Sequence, residues 1–358
     1  MACSVPVAPE TSPRVPLPTT PITVGTPSPT ASPDLFTEVS VIASSGGDVF
    51  RRTSAGWVHL ASLCQEVNHL LIAADGTAVL ATCFRQREMD GRQDVVLHDL
   101  RSGTTRRLSG SDGLDTSGRP AWSPDGTAIA YMTADGCTLF APGCRTRIAV
   151  LDIATAKERT IPDGPIGELL WTALGLSSYL EACSDPACAR GGPEPGTWLL
   201  TLGGWSHYSA HRLVGSDGNR SLLGEISEVE GRVRSVATIE RLGTVERRLT
   251  PPGVPIEQAL ALVQDGRVVA WRPDHEIGSG STTGKIIVYG GGTGTRETAG
   301  TFNDVVIGRS AAIRSDDWIV VIDASLTTST LRAYSLEQDR FDARPAELPS
   351  HRFVIVPR

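Results

Sequence analysis

Apolar residues in this chain fall in short runs, punctuated by Gly, Pro and Asp. The clearest run is Arg119-Pro-Ala-Trp-Ser-Pro-Asp-Gly-Thr-Ala-Ile-Ala-Tyr-Met-Thr133. It predicts a short strand, a tight turn at Pro124-Asp125-Gly126 and a second short strand. Asp-Gly suits that turn because glycine adopts a positive φ without steric cost. Ala128, Ala130 and Met132 alternate with Ile129, Tyr131 and Thr133. Nearly all are apolar, so both faces of the strand are expected to be buried, as for a strand between two other sheets. Weaker copies occur at Ile72–Leu80, around Asp75-Gly76, and at Leu262–Trp271, around Asp265-Gly266.

The same reading places strands at Thr37–Ala43, Asp48–Thr53 and Gly56–Ser62, followed by a repeating four-strand unit. One copy comprises His69–Ala73, Ala78–Phe84, Gln93–Asp99 and Thr105–Ser109. The next comprises Pro120–Ser123, Ala128–Thr133, Arg147–Asp152 and Lys157–Ile161, about 50 residues later. A third reads Glu168–Thr172, Ser177–Ala182, Thr197–Leu202 and Ser206–His211. A fourth shows three strands, Ser221–Ser227, Val233–Ile239 and Thr244–Thr250. A fifth reads Ala259–Gln264, Arg267–Trp271, Lys285–Tyr289 and Thr295–Thr298. A sixth reads Asp304–Ile313, Trp318–Asp323, Ser329–Leu336 and Phe341–Arg344, and Arg352–Val356 is left over. No long amphipathic helix is evident. Four strands per period of this length mark a β-propeller.

Trp122-Ser-Pro-Asp-Gly126 followed by Ile129-Ala-Tyr131 resembles the TolB-type propeller repeat, in which an apolar residue precedes Ser-Pro-Asp-Gly and an apolar strand follows. The resemblance covers residues 66–163 well; beyond them the period and occasional Asp-Gly turns remain. It implies an all-β fold, a single β-propeller of four-stranded blades, and is nearly silent on activity, because propellers host many functions. Seven blades are favoured: the leftover strand Arg352–Val356 and the N-terminal strands together make one more blade, closed by both termini. Six blades, with the spare strands packed elsewhere, is the alternative.

Composition adds a compartment. The 358 residues are 40% hydrophobic and 20% charged, as in ordinary soluble proteins. A net charge of −7 argues against a nucleic-acid or anionic-membrane surface. No run of apolar residues is long enough to span a bilayer. Residues 1–35 are rich in Pro, Ser and Thr, as in Thr-Pro-Ser-Pro-Thr-Ala-Ser-Pro, and are expected to form an extended tether, with the propeller over 36–358. Met1-Ala2-Cys3 before the tether resembles the end of a lipobox and the start of a mature bacterial lipoprotein, which implies a lipidated Cys3. An incidental cysteine on an ordinary N-terminus is the other reading. The remaining cysteines fall into neighbouring pairs, Cys64 with Cys83, Cys137 with Cys144 and Cys183 with Cys188. Six cysteines allow about 15 pairings, and close, even pairs point to disulfides and an oxidising compartment.

Candidate chemistry sits in loops. In a four-stranded meander the second-to-third connections share a face with the connections between blades, opposite the Asp-Gly turns. They are long at Ala134–Thr146, Cys183–Gly196 and Arg272–Gly284. All three cysteine pairs map to that same face. A ligand or partner is therefore expected to meet Phe140, Arg145, Arg190, Glu194, His275 and Glu276. Catalytic constellations do not assemble. Gly308-Arg-Ser310 lacks the second glycine of a nucleophile elbow, and Gly290–Gly294 reads as a hairpin turn. His207 and His211, four apart on a strand, would lie ~13 Å from each other, too far to share a metal. Asp274-His275-Glu276 is the best polar cluster, though a solvated loop accounts for it. Trp122, Trp171 and Trp271 are assigned to core packing between blades. No metal or cofactor is implied. The leading reading is an exported, membrane-tethered, monomeric module that binds a protein or small ligand. The rival is a propeller enzyme of hydrolase, lyase or quinoprotein type, with a polar site at the central channel.

Overall fold

The computed structural model describes the strands between Val39 and Pro357. It leaves aside residues 1–38, 54, 74–75, 85–92, 108–119, 135–145, 162–163, 182–192, 230–231, 264–265, 274–282, 291–294, 298–301, 304–311, 315–317, 325–328, 336–339, 342–345, 348–351 and 358, and beyond residue 295 it describes backbone only. By its contacts the chain divides into residues 1–33 and 34–358, and the fold below is that of the second unit.

The described residues form seven antiparallel sheets. Sheet I holds β4 (Val67–Ile72), β5 (Ala78–Phe84), β6 (Gln93–Asp99) and β7 (Thr105–Arg107). Sheet II holds β8 (Ala121–Trp122), β9 (Ala128–Ala134), β10 (Thr146–Asp152) and β11 (Glu158–Thr160). Sheet III holds β12 (Glu168–Thr172), β13 (Gly175–Leu180), β14 (Gly196–Thr201) and β15 (Gly204–Ser209). Sheet IV holds β16 (Arg212–Ser216), β17 (Arg220–Val229), β18 (Arg232–Leu242) and β19 (Val245–Arg248). Sheet V holds β20 (Gln258–Leu262), β21 (Val268–Pro273), β22 (Thr283–Tyr289) and β23 (Arg296–Glu297), with β24 (Phe302–Asn303) also on β22. Sheet VI holds β25 (Ala312–Arg314), β26 (Trp318–Ala324), β27 (Ser329–Ser335) and β28 (Arg340–Phe341), with β29 (Ala346–Glu347) also on β27. Sheet VII joins the two ends of the chain. Its order is β3 (Gly56–Ser62), β2 (Asp48–Thr53), β1 (Val39–Ser45) and β30 (Arg352–Pro357), with Val41 opposite Ile355.

The first strands of successive sheets touch: β8 meets β12, β12 meets β16, β16 meets β20, β25 meets β30 and β30 meets β4. They form the inner ring. The hydrophobic layers lie between sheets, as the doubly apolar strand at Ala128–Thr133 requires. Ile129 and Tyr131 pack with Leu80, Val95 and Leu97 of sheet I. Ala130 and Met132, on the opposite face, pack with Leu169 and Leu176 of sheet III. Trp271 is buried, and Trp122 and Trp171 pack against these layers. Burying a large side chain contributes roughly 1.5–3 kcal/mol, so a strand with two covered faces holds its two neighbours together.

The Ser-Pro-Asp-Gly turn is explained atom by atom. The Gly126 amide donates to the Ser123 carbonyl at 2.9 Å, and Gly126 has φ 71°. Pro124 fits the second turn position, where φ is already near −65°. Asp125 Oδ1 accepts from the Ser123 hydroxyl at 2.5 Å and from the Thr127 amide at 3.1 Å. Gly76 and Gly266 close the same turn on the carbonyls of Ala73 and Val263.

The main departure from the sequence reading is in sheet IV, whose first strand, Arg212–Ser216, lies where no strand was expected. Only Leu213 of its five residues is buried, and a bulge interrupts its pairing after Leu213. An apolar-alternation criterion therefore passes over it. A smaller departure is at β15, which starts two residues earlier than Ser206 and ends at Ser209. At the sixth copy the described part of the first strand is Ala312–Arg314, and 304–311 lie outside the described residues.

Candidate functional site

Because the strands alternate in direction, the starts of the first strands and the ends of the second strands lie on one side of each sheet. This is the loop face. Cys64, in the connection from β3 to β4, is bonded to Cys83 near the end of β5, with Cα atoms 6.0 Å apart. The bond ties sheet VII's exit to sheet I on that face. Beside it the β1–β2 turn is seated against the Cys64–Gln65 backbone. The Gly46 and Gly47 carbonyls accept from the Val67 amide at 2.8 Å and the Leu63 amide at 2.9 Å. A Cβ on Gly47 would fall 1.5 Å from the Cys64 carbonyl oxygen, so only glycine fits.

Two charged assemblies stand on the same face. At the mouth of the inner ring Glu168 begins β12 and Arg212 begins β16, and their side chains meet at 2.6 Å across the gap between sheets III and IV. Both are partly exposed, at 40% and 34%. Tyr179 lies opposite Glu168 in the ladder. Burial and the nearby Glu181 carboxylate push its hydroxyl pKa up, with Arg212 opposing. The mouth thus presents an ion pair, a phenol and the exposed Glu181.

The second assembly is buried. Glu257, fully enclosed just before β20, accepts from the Thr250 hydroxyl at 2.6 Å, from Arg272 Nη2 at 2.8 Å and from the Tyr289 hydroxyl at 2.8 Å. Burial disfavours the Arg272 cation, but the Glu257 contacts outweigh it and the net shift is upward. Burial and Glu257 also push the Tyr289 hydroxyl up. A carboxylate with this many donors is compensated for its loss of water. Arg272 stands one residue before the end of β21, just ahead of the 274–282 stretch, so the network anchors the base of one of the long connections on this face.

Of the residues singled out from sequence, Glu194 is exposed, and its carbonyl accepts from the Trp198 indole N–H at 2.9 Å. Phe140, Arg145, Arg190, His275 and Glu276 lie outside the described residues, as do Cys3, Cys137, Cys144, Cys183 and Cys188. His207 and His211 are held separately. His207 packs edge-on to Trp198 and lies 3.3 Å from the Pro195 carbonyl, while His211 lies 3.5 Å from Glu246. Among the described residues no group of His, Cys, Asp and Glu is arranged to hold a metal ion, and no helix is long and apolar enough to cross a membrane. Glu168, Arg212, Glu257 and Arg272 escaped the sequence reading. Their partners are 44 and 15 residues apart, and no local spacing encodes them.

No protein-family model matches the chain, and no curated protein matches it. Solved structures match it in fold. An acylaminoacyl peptidase superposes with a TM-score of 0.54 at 13% identity, over 87% of this chain and 50% of that one. A protein described as a 6-phosphogluconolactonase, from Bacteroides fragilis NCTC 9343, superposes with a TM-score of 0.51 at 12% identity, over 91% of this chain and 100% of that one. TolB from Acinetobacter baumannii gives 0.46 at 15% identity, over 89% and 66%. The chain spans about two thirds of that TolB chain and half of the peptidase chain. These are likenesses of fold. The chain is an all-β protein of the propeller class, and its Trp122-Ser-Pro-Asp-Gly126 repeat resembles the TolB type.

Proposed function

We infer that the chain is an extracytoplasmic propeller that binds a protein or small-ligand partner through its disulfide-braced loop face, with residues 1–35 as a tether lipidated at Cys3. The observation that carries this reading is the Cys64–Cys83 bond on the loop face, the face that also bears the Glu168–Arg212 pair. Disulfides persist in oxidising compartments, and loops held on a rigid scaffold are where recognition usually lives. An enzyme of hydrolase, lyase or quinoprotein type would need polar groups poised for chemistry at the ring mouth. There Glu168 is engaged with Arg212 rather than with a histidine or a second carboxylate.

Photo-crosslinking amino acids placed at Glu181 and Glu194 on the loop face, and at Leu202 and Gly243 in turns of the opposite face, test the reading in cells. Covalent adducts of discrete mass are expected from Glu181 and Glu194. Adducts from Leu202 and Gly243 alone would assign recognition to the wrong face.

A further inference from the structure

On the face opposite the loops a cavity of about 430 Å³ opens between sheets I and II. It lies within the range of roughly 300–1,000 Å³ typical of small-molecule sites. Leu97 and Ile153 supply apolar wall, and Trp122 supplies an indole. Asp99, Asp125 and Arg106 supply charge and Thr104 a hydroxyl. The walls come from corresponding turns of adjacent repeats, so the cavity is built by the repeat itself.

Three features of the lining point to one kind of ligand. Trp122 forms part of the wall, and its indole N–H, shielded from water, does not open into the cavity, so the residue serves as apolar surface. Asp99 and Asp125 are fixed in place by their own turns, Asp99 Oδ1 taking the Arg101 and Ser102 amides and Asp125 Oδ1 the Thr127 amide and the Ser123 and Thr127 hydroxyls, so neither must be reorganised to accept a further bond. Arg106 reaches across from sheet I to the Ile153 carbonyl of sheet II, which stations a guanidinium at the rim.

The lining therefore mixes a donor, Arg106, with acceptors, Asp99 and Asp125. A cation would satisfy the carboxylates, but it would face Arg106. An anion would meet Arg106 but face two carboxylates. A hydroxyl group both donates and accepts, and a sugar ring offers an apolar face to indole. We propose that this cavity binds a neutral polyhydroxylated ligand, a mono- or disaccharide, independently of the loop face.

The test uses the full chain with maltose, cellobiose, trehalose and N,N′-diacetylchitobiose, and with choline and inorganic phosphate as charged probes. Saturation-transfer NMR and calorimetric titration read binding. Saturable binding of at least one of the sugars is expected, weakened about tenfold in Trp122→Phe and in Arg106→Gln and unchanged in Glu194→Gln. Trp122→Phe keeps an aromatic ring in the layer between sheets. Should it nevertheless fail to fold, Arg106→Gln decides alone. The proposal fails if none of the four sugars gives a saturable signal, if choline or phosphate binds in their place, or if sugar binding is unchanged in the folded variants.

Discussion

At the scale of single residues, the turns show the repeat being written with different letters in the same positions. In sheet I the turn after Asp99 ends on Gly103, with φ 70°; in sheet II the corresponding turn after Asp152 ends on Ala156, with φ 54°. A side chain in the left-handed region costs roughly 1–2 kcal/mol, partly offset by glycine's freedom in the unfolded chain. Ala156→Gly should therefore stabilise the protein by about 0.5–1 kcal/mol in urea unfolding; a loss of stability would show that the turn is relaxed as it stands. Asp99, Asp125 and Asp152 are all held below the ordinary carboxylate range. The largest causes are the Ser102 amide for Asp99, the Ser123 hydroxyl for Asp125 and the Thr155 amide for Asp152. Because the folded pKa is the lower one, each contributes stability above the unfolded value of about 3.9 that disappears as pH falls through the folded value. The combined variant Asp99→Asn, Asp125→Asn, Asp152→Asn keeps the acceptors and removes the charges. Its stability should fall less than that of wild type between about pH 5 and pH 2; parallel pH profiles would refute the linkage. These turns were the most legible part of the sequence, since Ser123, Pro124, Asp125, Gly126 and Thr127 interact within one local segment.

At the scale of elements, legibility depended on whether a strand has two covered faces. Ala128–Ala134 is buried on both and stood out in the sequence, whereas Arg212–Ser216 lines the inner ring, carries one buried residue and did not. The Glu257 network was illegible for a different reason. Thr250, Glu257, Arg272 and Tyr289 come from two sheets and are joined only by the fold. Breaking a buried ion pair from one side typically costs about 3–5 kcal/mol, because the remaining charge is stranded. Arg272→Ala should destabilise the chain by that amount, and Glu257→Gln combined with Arg272→Met by distinctly less than the sum of the single changes. Strictly additive unfolding free energies would mean that the two groups are not coupled. The Gly47 contact makes an independent claim on the loop face. Gly47→Ala must displace the Cys64 backbone, so its thermal transition should fall by several degrees, whereas Gly203→Ala, whose nearest neighbour is 3.9 Å away, should be close to neutral.

At the scale of the whole molecule, one strand carries closure. β30 is the inner strand of sheet VII: it pairs with β1 from Val39 to Ser44 and touches both β4 of sheet I and β25 of sheet VI. Removing it takes away the hydrogen-bonding partner of β1 and the neighbour of two further inner strands at once. The Cys64–Cys83 bond bridges the same region over a separation of 19 residues, for which loop-closure entropy gives about 3 kcal/mol. A sheet stripped of its inner strand exposes a free edge, the situation that ring closure otherwise removes. Deleting Arg352–Arg358 should therefore lower the thermal transition far more than reducing the disulfide in the intact chain. A synthetic peptide spanning Arg352–Arg358, added in excess, should recover part of that loss, as any ligand does that binds only the folded state. Scanning calorimetry of the intact, reduced and truncated chains, the last with and without peptide, measures all of these. A truncated chain that melts like the intact one would mean that the ring closes without its last strand, and that the terminal strands are an accessory to the fold.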